Sequence, residues 1–398
     1  MTPIKIVSLS HSDDFDGIGS QAIIYRYFSV LKKPIPAEIG QFPKGEVELY
    51  LMQTDYGDYL FYWAAIIAGM IQKNSNEFLE FEKIWESVIL KLHCVHTMEE
   101  LRKKYAFVSP ESKKQILNNI ELWKTMDLLI LSDIGYNKTF KTLFPVLKQW
   151  DIPIAYFDHH THDLETQEFF SNYCRVYIVD KNRCATQIVH EFFLPNDNIS
   201  LFISNLGEDT DFNTFHMEYS QEIMSIISHY RKNFEKLSEI VKYYAQGSNF
   251  NSEMNQIYHQ VENWENSQFN MMKKTLKKIV MKNRNDEEIL IIMGISKMRS
   301  GRSMHRLDEI YSQEWLHSEK PHIKTLLLFT IDQKSLNTNI NSENTNVHEI
   351  AEHFGGGGHF NRAGFRFPSS FMKRIGLSEY TFEDLKIDEF LEEVKSIL

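Results

Sequence analysis

The sequence predicts an α/β protein: a mostly parallel sheet in an N-terminal domain with a helical insertion, then a smaller mixed α/β domain across a cleft. Three observations predict it. Short, nearly continuous apolar runs recur in the first half, as expected of strands buried on both faces. Each ends in a polar loop, and helical patterns follow, the signature of an open α/β sheet. From about residue 288 the pattern changes to long apolar strands and then a glycine-rich run. A length of 398 residues suits two domains better than one core.

The elements follow in order. Ile4 to Leu9 (IKIVSL) reads as a buried strand, HSDDFDGIGS as a polar turn, and QAIIYRYFSVL as a helix. Asp127 to Leu131 (DLLIL) is a second strand, ending in SDIG. Ile152 to Phe157 (IPIAYF) is a third, ending in Asp-His-His, and Asp180 to Phe193 carries a strand end and a helix. Residues 60–125, with FLEFEKIWESVILKL, form the helical insertion. Residues 216–287 read as a mostly helical connector that includes MMKKTLKKIVMKN. EILIIMGI and KTLLLFTI are strands of the second domain. LNTNINSENTN is an asparagine-rich turn, followed by a helix and GGGGHFNRAGF.

Composition narrows the class. Hydrophobic residues at 42% and charged residues at 24% fit a globular chain, and 13% aromatics argue against long disorder. A net charge of −11 makes a poor general clamp for long duplex DNA, whose affinity comes from phosphate neutralisation. The longest apolar run, Tyr59 to Ile71, is too short to span a bilayer, so no membrane partner is expected. No cationic segment followed by an apolar stretch opens the chain, so secretion is not expected either. Cys94, Cys174 and Cys184 form no CxxC pair and read as free thiols in a reducing cytoplasm.

Ligands of open α/β sheets sit at the carboxyl ends of the strands. Here those ends carry His11, Asp14 and Asp16; then Asp133; then Asp158, His159 and His160. Asp209, with Asp211 close by, follows in LGEDTDFNT. Singly, each is an ordinary turn or cap residue. Gathered in one pocket, the carboxylates would repel unless cations neutralised them, and carboxylates with imidazoles suit manganese or a similar ion. Gly17 and Gly19 would let the backbone turn tightly beside a phosphate. Gly355 to Gly358 can present N–H groups to a phosphate, with His359 next to them; a helix cap is the plainer reading, but needs fewer glycines.

The ordered set HSDDFDG, SDIG, DHH, EDTD and GGGGHFNRAG resembles the DHH phosphoesterase family with its DHH-associated C-terminal domain. Within it, the layout is most similar to the nano-RNases of the oligoribonuclease type. The resemblance covers nearly the whole chain apart from the insertion. It implies a catalytic metal-binding domain over 1–215, the connector over 216–287, and a substrate-binding domain over 288–398. It also implies two Mn²⁺ ions, with Mg²⁺ as a substitute. His11 and Asp14 would hold the first; Asp16, His159 and Asp209 the second; Asp133 would bridge them. His160 would face the scissile phosphate and Asp158 would orient its neighbours. Two such ions, roughly 3.5–4 Å apart, clamp a phosphate and activate water.

The sequence departs from the family pattern in two places. His11 stands three residues before Asp14, a different spacing from that of many relatives. Where relatives carry Ser-x-Arg-Ser/Thr, this chain has Ser335, Leu336, Asn337 and Thr338, and asparagine cannot supply a charged clamp. Either Arg362 takes over, beside Ser335, Asn337, Gly355 to Gly358 and His359, or the substrate differs.

Other polar groups read as surface or structural. Lys273, Lys274, Lys277 and Lys278 suggest a solvated helix face, and Arg299, Arg302, His305 and Arg306 a polar loop. His93 and His96 beside Cys94 read as structural, and Tyr56 with Asp58 as a turn.

The expected activity is hydrolysis of short RNA or DNA oligonucleotides or small nucleotides. Cyclic nucleotides and 3′-phosphoadenosine 5′-phosphate are the alternative substrates. A non-catalytic nucleotide-binding module and a metal-free scaffold are readings of another class. A homodimer is compatible with the sequence.

Overall fold

The computed structural model describes residues 2–398 except 55–57, 75–79, 93–109, 213, 232, 249, 299, 317–322 and 359. Tyr56, His93, Cys94, His96, Arg299 and His359 therefore lie outside the described residues. The chain divides into two compact units, Met1–His259 and Gln260–Leu398. The fold class is α/β, with an all-parallel sheet in the first unit and a mixed sheet in the second.

The first sheet contains β1 (Ile4–His11), β2 (Val47–Thr54), β3 (Leu128–Ser132), β4 (Ile154–Asp158) and β5 (Val176–Val179). Their spatial order is β2-β1-β3-β4-β5. Alternation along each strand divides two cores. Val7, Leu9, Leu129, Leu131, Ile154 and Tyr156 face one, while Ile4, Ile6, Leu128, Ile130, Ala155 and Phe157 face the other. Burial on both faces explains the unbroken apolar runs of β1, β3 and β4. β2 is an edge strand with Glu48 exposed and Tyr50 only partly covered, and its mixed pattern hid it in the sequence.

The first core is covered by the segment read as an insertion: α2 (Tyr59–Asn74), α3 (Phe81–Leu92), α4 (Pro110–Leu117) and α5 (Ile120–Thr125). α6 (Phe140–Gln149) and α7 (Leu164–Tyr173) complete that face. The other face is covered by α1 (Phe15–Tyr25), α8 (Ala185–Phe193), α9 (Asn198–Asp211), α10 (Ser220–Tyr230) and α11 (Phe234–Ala245). Helix α1 starts inside the stretch expected as a turn, capped by Asp14, whose carboxylate accepts the Gly17 N–H at 3.3 Å. The stretch expected as a connector is shared out. Ile223, Ile226, Leu237 and Val241 belong to the first unit's core, and the long α12 (Ser252–Thr275) crosses the boundary.

The second sheet contains β6 (Lys277–Lys282), β7 (Glu288–Ser296), β8 (Ile323–Asp332), β9 (Asn337–Asn341), β10 (Gly357–Gly358) and β11 (Arg362–Arg366), in the order β10-β11-β9-β8-β7-β6. β7 and β8 are parallel, the other pairs antiparallel. One face packs on α14 (Val347–His353) and α15 (Ile387–Ile397); the other on α13 (Ser300–Leu316) and the end of α12.

Three expectations change here. Lys277 and Lys278 lie on edge strand β6, not on a continued helix. Asn337–Asn341 is a strand, held between β8 and β11 despite asparagine's poor strand preference. Arg302, His305 and Arg306 lie on a helix, where both arginines pair with the buried Glu265. No helix among the described residues is long and apolar enough to cross a membrane.

Candidate metal centre

In a sheet ordered 2-1-3-4-5, the chain leaves β1 and β3 in opposite directions, and a crevice opens at their carboxyl ends. His11 is the last residue of β1 and Asp133 the first after β3. The crevice therefore falls between them. Asp133 adopts a left-handed backbone, φ +53°, which costs an L-residue energy and turns its carboxylate back over the strand ends. Its two oxygens face different imidazoles. Oδ2 is 3.6 Å from His11 Nδ1, and Oδ1 is 3.5 Å from His159 Nε2.

Each imidazole has a further carboxylate. His11 Nδ1 is 3.4 Å from Asp14 Oδ2. His159 Nε2 is 4.0 Å from Asp16 Oδ2, and its Nδ1 is 3.4 Å from Asp211 Oδ2. Two ligand groups result, His11–Asp14–Asp133 and Asp16–His159–Asp211, each with donor atoms within 4.8 Å of one another. Asp133, Asp158, His159 and His160 form a third overlapping group.

Asp16 lies in the first turn of α1, not in a loop, and its carboxylate caps α8. It accepts the N–H groups of Ala185 and Thr186 and the Thr186 hydroxyl, each at 2.7 Å. Thr186 is itself wedged: a Cβ on Gly207 would lie 1.9 Å from its hydroxyl oxygen, and one on Gly19 2.6 Å from its methyl group. Gly17 is required for a different reason, since a Cβ there would sit 2.0 Å from the His11 carbonyl oxygen. Gly17 and Gly19, both within α1, thus serve close packing, not a tight turn.

Asp209, expected as a ligand, is placed otherwise, and Asp211 stands at the cluster in its stead. Asp209 accepts from the Thr214 hydroxyl at 2.6 Å, from the N–H groups of His216 at 2.7 Å and Met217 at 2.9 Å, and from Ser220. Burial would raise its pKa, but these bonds outweigh that and lower it to about 2. Helical phase explains the exchange. At about 100° per residue, positions two apart on α9 point to nearly opposite sides.

The electrostatics match an acidic cage. Burial, then Asp133 and Asp211, push the Asp16 carboxyl up to about 8. Burial and the neighbouring carboxylates raise Asp211 to about 6. Burial opposes charge on His159, but Asp133, Asp16 and Asp211 outweigh it and raise the ring to about 10. His11 is also raised, as Asp14 and Asp133 overcome its burial, and His11 in turn helps hold Asp14 down at about 2. Asp133 Oδ2 is buried with no hydrogen-bond donor among the described residues. Such an oxygen, amid carboxylates that retain protons to coexist, fits a divalent cation. Asp13, Asp14's neighbour, packs 3.8 Å from His11 Nε2 and pairs with Arg231, a residue the motifs did not single out.

His160 adjoins Asp133 and His159 in the third group and is held by Asp158, whose Oδ1 lies 2.8 Å from His160 Nδ1. Burial opposes charge on His160, but the hydrogen bond to Asp158 prevails and raises its pKa.

The candidate substrate residues lie in the second unit. Gly355, φ +77°, ends α14: its N–H donates to Glu352 O and that of Gly356 to Ala351 O, the helix cap that was the plainer reading. A Cβ on Gly356 would lie 2.0 Å from Gly364 O, whereas Gly357 faces open space. Gly358 pairs with Ala363. Arg362, opposite Asn341, and Arg366, opposite Asn337, share a sheet face with Asn339 and Gly364. Ser335 and Leu336 form the turn between β8 and β9, with Leu336 at φ +60°.

The chain resembles the DHH phosphoesterases. The motifs that carry the likeness in sequence, HSDDFDG, SDIG, DHH and EDTD, meet in this one crevice. No family model matches the chain, and no curated protein matches it. Similar solved structures include an exopolyphosphatase-related protein from Bacteroides fragilis, 13% identical over 99% of this chain and 93% of that one, TM-score 0.40. A pGpG-specific phosphodiesterase, PggH from Vibrio cholerae, is 9% identical over 99% and 98%, TM-score 0.42. RecJ from Thermus thermophilus, in complex with Mn²⁺, is 11% identical over 92% of this chain and 50% of that one, TM-score 0.45.

Proposed function

We propose that this chain is a metal-dependent phosphoesterase that hydrolyses phosphodiester bonds of short oligonucleotides or small nucleotides. One observation carries the reading: Asp133 offers one carboxylate oxygen to each of two ligand groups. A side chain so placed suits a pair of divalent cations, with manganese first and magnesium as a substitute. His11 and Asp14 would complete one position; Asp16, His159 and Asp211 the other. When bound, the cations would supply positive charge to the phosphate and acidity to water.

The chain's own residues divide the remaining work. Asp158 holds His160 by Nδ1, so the opposite edge of the ring is turned away from Asp158. The hydrogen bond to Asp158 raises the His160 pKa, which favours the protonated ring that a donor to the leaving oxygen requires. The Asp16 cap fixes the first turn of α1 and with it two of the carboxylates. In the second unit, Arg362, the open Gly357 backbone, Ser335 and Asn337 would be candidate phosphate-binding groups, as the motif resemblance implies. The loss of arginine from Ser335–Thr338 favours a second reading within the class, a cyclic nucleotide or 3′-phosphoadenosine 5′-phosphate.

The test is purified protein with Mn²⁺ and a panel of short RNAs and DNAs, cyclic nucleotides and 3′-phosphoadenosine 5′-phosphate. Metal-dependent turnover of any member supports the reading, and the preferred member names the substrate. Mn²⁺ binding without turnover would instead indicate a nucleotide-binding module. Failure to bind Mn²⁺ would overturn the reading altogether.

A further inference from the structure

Asp158 is fully buried, and its environment extends well beyond His160. The Tyr156 hydroxyl shares its proton between Asp158 Oδ2, at 2.8 Å, and the Ile134 carbonyl oxygen, at 2.5 Å. His162 Nε2 lies 3.7 Å from the same Oδ2. The other ring nitrogen of His162 is 2.8 Å from the Tyr177 hydroxyl. Thus Tyr156 and His160 are hydrogen-bonded to Asp158, and the His162–Tyr177 pair packs beside it, with His162 Nε2 facing Oδ2.

This chain is embedded in aromatic core. Phe170 lies against Tyr156, His162 and Tyr177, with ring centroids 4.5, 5.1 and 5.3 Å away. The sheet places the parts. Tyr156 and Asp158, two apart on β4, share a face, and Tyr177 on β5 pairs in register with Tyr156. Polar groups buried this deeply cost stability unless they satisfy one another, and a satisfied network selects one geometry. Here the geometry selected is that of one carboxylate. Oδ1 binds His160 and Oδ2 accepts from Tyr156, with His162 close by, so the carboxylate cannot rotate without breaking both hydrogen bonds. The Tyr156 bond to Ile134 O also ties it to the loop that follows Asp133. The His160 ring packs on that loop, where a Cβ on Gly135 would lie 3.3 Å from it.

We propose that Tyr156, His162 and Tyr177 are positioning residues that lock the Asp158 carboxylate and, through it, the orientation of His160 toward the reacting phosphate. The role of His160 rests on the function proposed above; the lock on its orientation does not. Among the described residues, no hydrogen bond or ion pair joins any of the three to the two ligand groups.

The experiment uses the full chain and two variants that keep the aromatic packing, Tyr156→Phe and Tyr177→Phe. Proton–nitrogen spectra of histidine-labelled protein report the Nδ1 proton of His160. They are read beside the Mn²⁺ binding isotherm, thermal midpoint, kcat and KM. In Tyr156→Phe the His160 Nδ1 signal should broaden or vanish and kcat should fall about tenfold or more, with KM and the isotherm unchanged. Tyr177→Phe should change both in the same sense but less. An intact His160 signal and unchanged kcat in Tyr156→Phe would overturn the proposal. So would a loss of kcat that follows Mn²⁺ affinity or the thermal midpoint. If the wild-type protein turns over nothing in the panel, the proposed function fails, while the His160 signal still decides whether the lock exists.

Discussion

Thr186 donates twice to one oxygen of Asp16, from its backbone N–H and from its hydroxyl, each at 2.7 Å. A helix N-terminus and a first-turn carboxylate are thereby fastened across a sequence separation of 170 residues. Thr186→Val keeps the shape and deletes the hydroxyl. It should cost about 1–3 kcal/mol in denaturant unfolding, because Asp16 is left one donor short in a buried place. Thr186→Ser should restore most of that loss. A valine variant as stable as wild type would show that the backbone N–H groups suffice.

Asp133 belongs to the His11–Asp14 group and also faces His159 of the other through Oδ1, whereas Asp211 belongs to one group only. Asparagine tolerates the left-handed backbone, so Asp133→Asn tests the carboxylate and not the turn. It should abolish turnover and weaken both steps of a Mn²⁺ isotherm. Asp211→Asn should weaken one step only, with unfolding stability little changed. Asp209→Asn should instead lower stability by roughly 2 kcal/mol or more, since it gives up charged acceptors for four donors.

The pH dependence of the metal-free protein has a definite sign. Folded Asp16 titrates at about 8 against 3.8 for the free carboxyl, and His159 at about 10 against 6.5. Between each pair of values the folded state holds a proton that the unfolded state has lost. Stability therefore falls as pH rises, through Asp16 from 3.8 to about 8 and through His159 from 6.5 to about 10. Bound cations would displace those protons and remove the penalty. Thermal midpoints in a chelator should drop with rising pH across this window, and Mn²⁺ should raise them more at about pH 8.5 than at about pH 6. Equal Mn²⁺ stabilisation at both would contradict the assignment.

The glycine run can be dissected. Gly356→Ala should destabilise the second unit, because its Cβ would collide with the Gly364 carbonyl oxygen. Gly357→Ala meets nothing within 4 Å and should leave the unfolding midpoint unchanged. If the run receives substrate, Gly357→Ala should raise KM with little change in kcat; an unchanged KM would confine the run to its cap and strand roles.

What the sequence disclosed follows from which residues act locally. β1, β3 and β4 were legible because burial on both faces leaves unbroken apolar runs, and His11, Asp133 and the Asp158–His160 triplet because they close those runs. β2 and β6 were not, since an edge strand with glutamates or lysines carries a mixed pattern. The choice between Asp209 and Asp211 needed the phase of α9, which EDTD by itself does not disclose. Arg231, Tyr156 and His162 escaped notice because their importance comes from partners brought in by other elements or from burial, not from any motif.

Helix α2 is wrapped on nearly every side: Tyr62, Trp63, Ala64, Ala65, Ile66, Ala68 and Met70 are all inaccessible to solvent, and Gly69 lets it press on the backbone of Trp123. The stretch that looked like an ornament on a standard scaffold is therefore the inner wall behind Val7, Leu9, Leu129 and Leu131. Trimming residues 60–125 to make a minimal catalytic module would strip the sheet that carries His11 and Asp133, so this piece of chain cannot be treated as detachable.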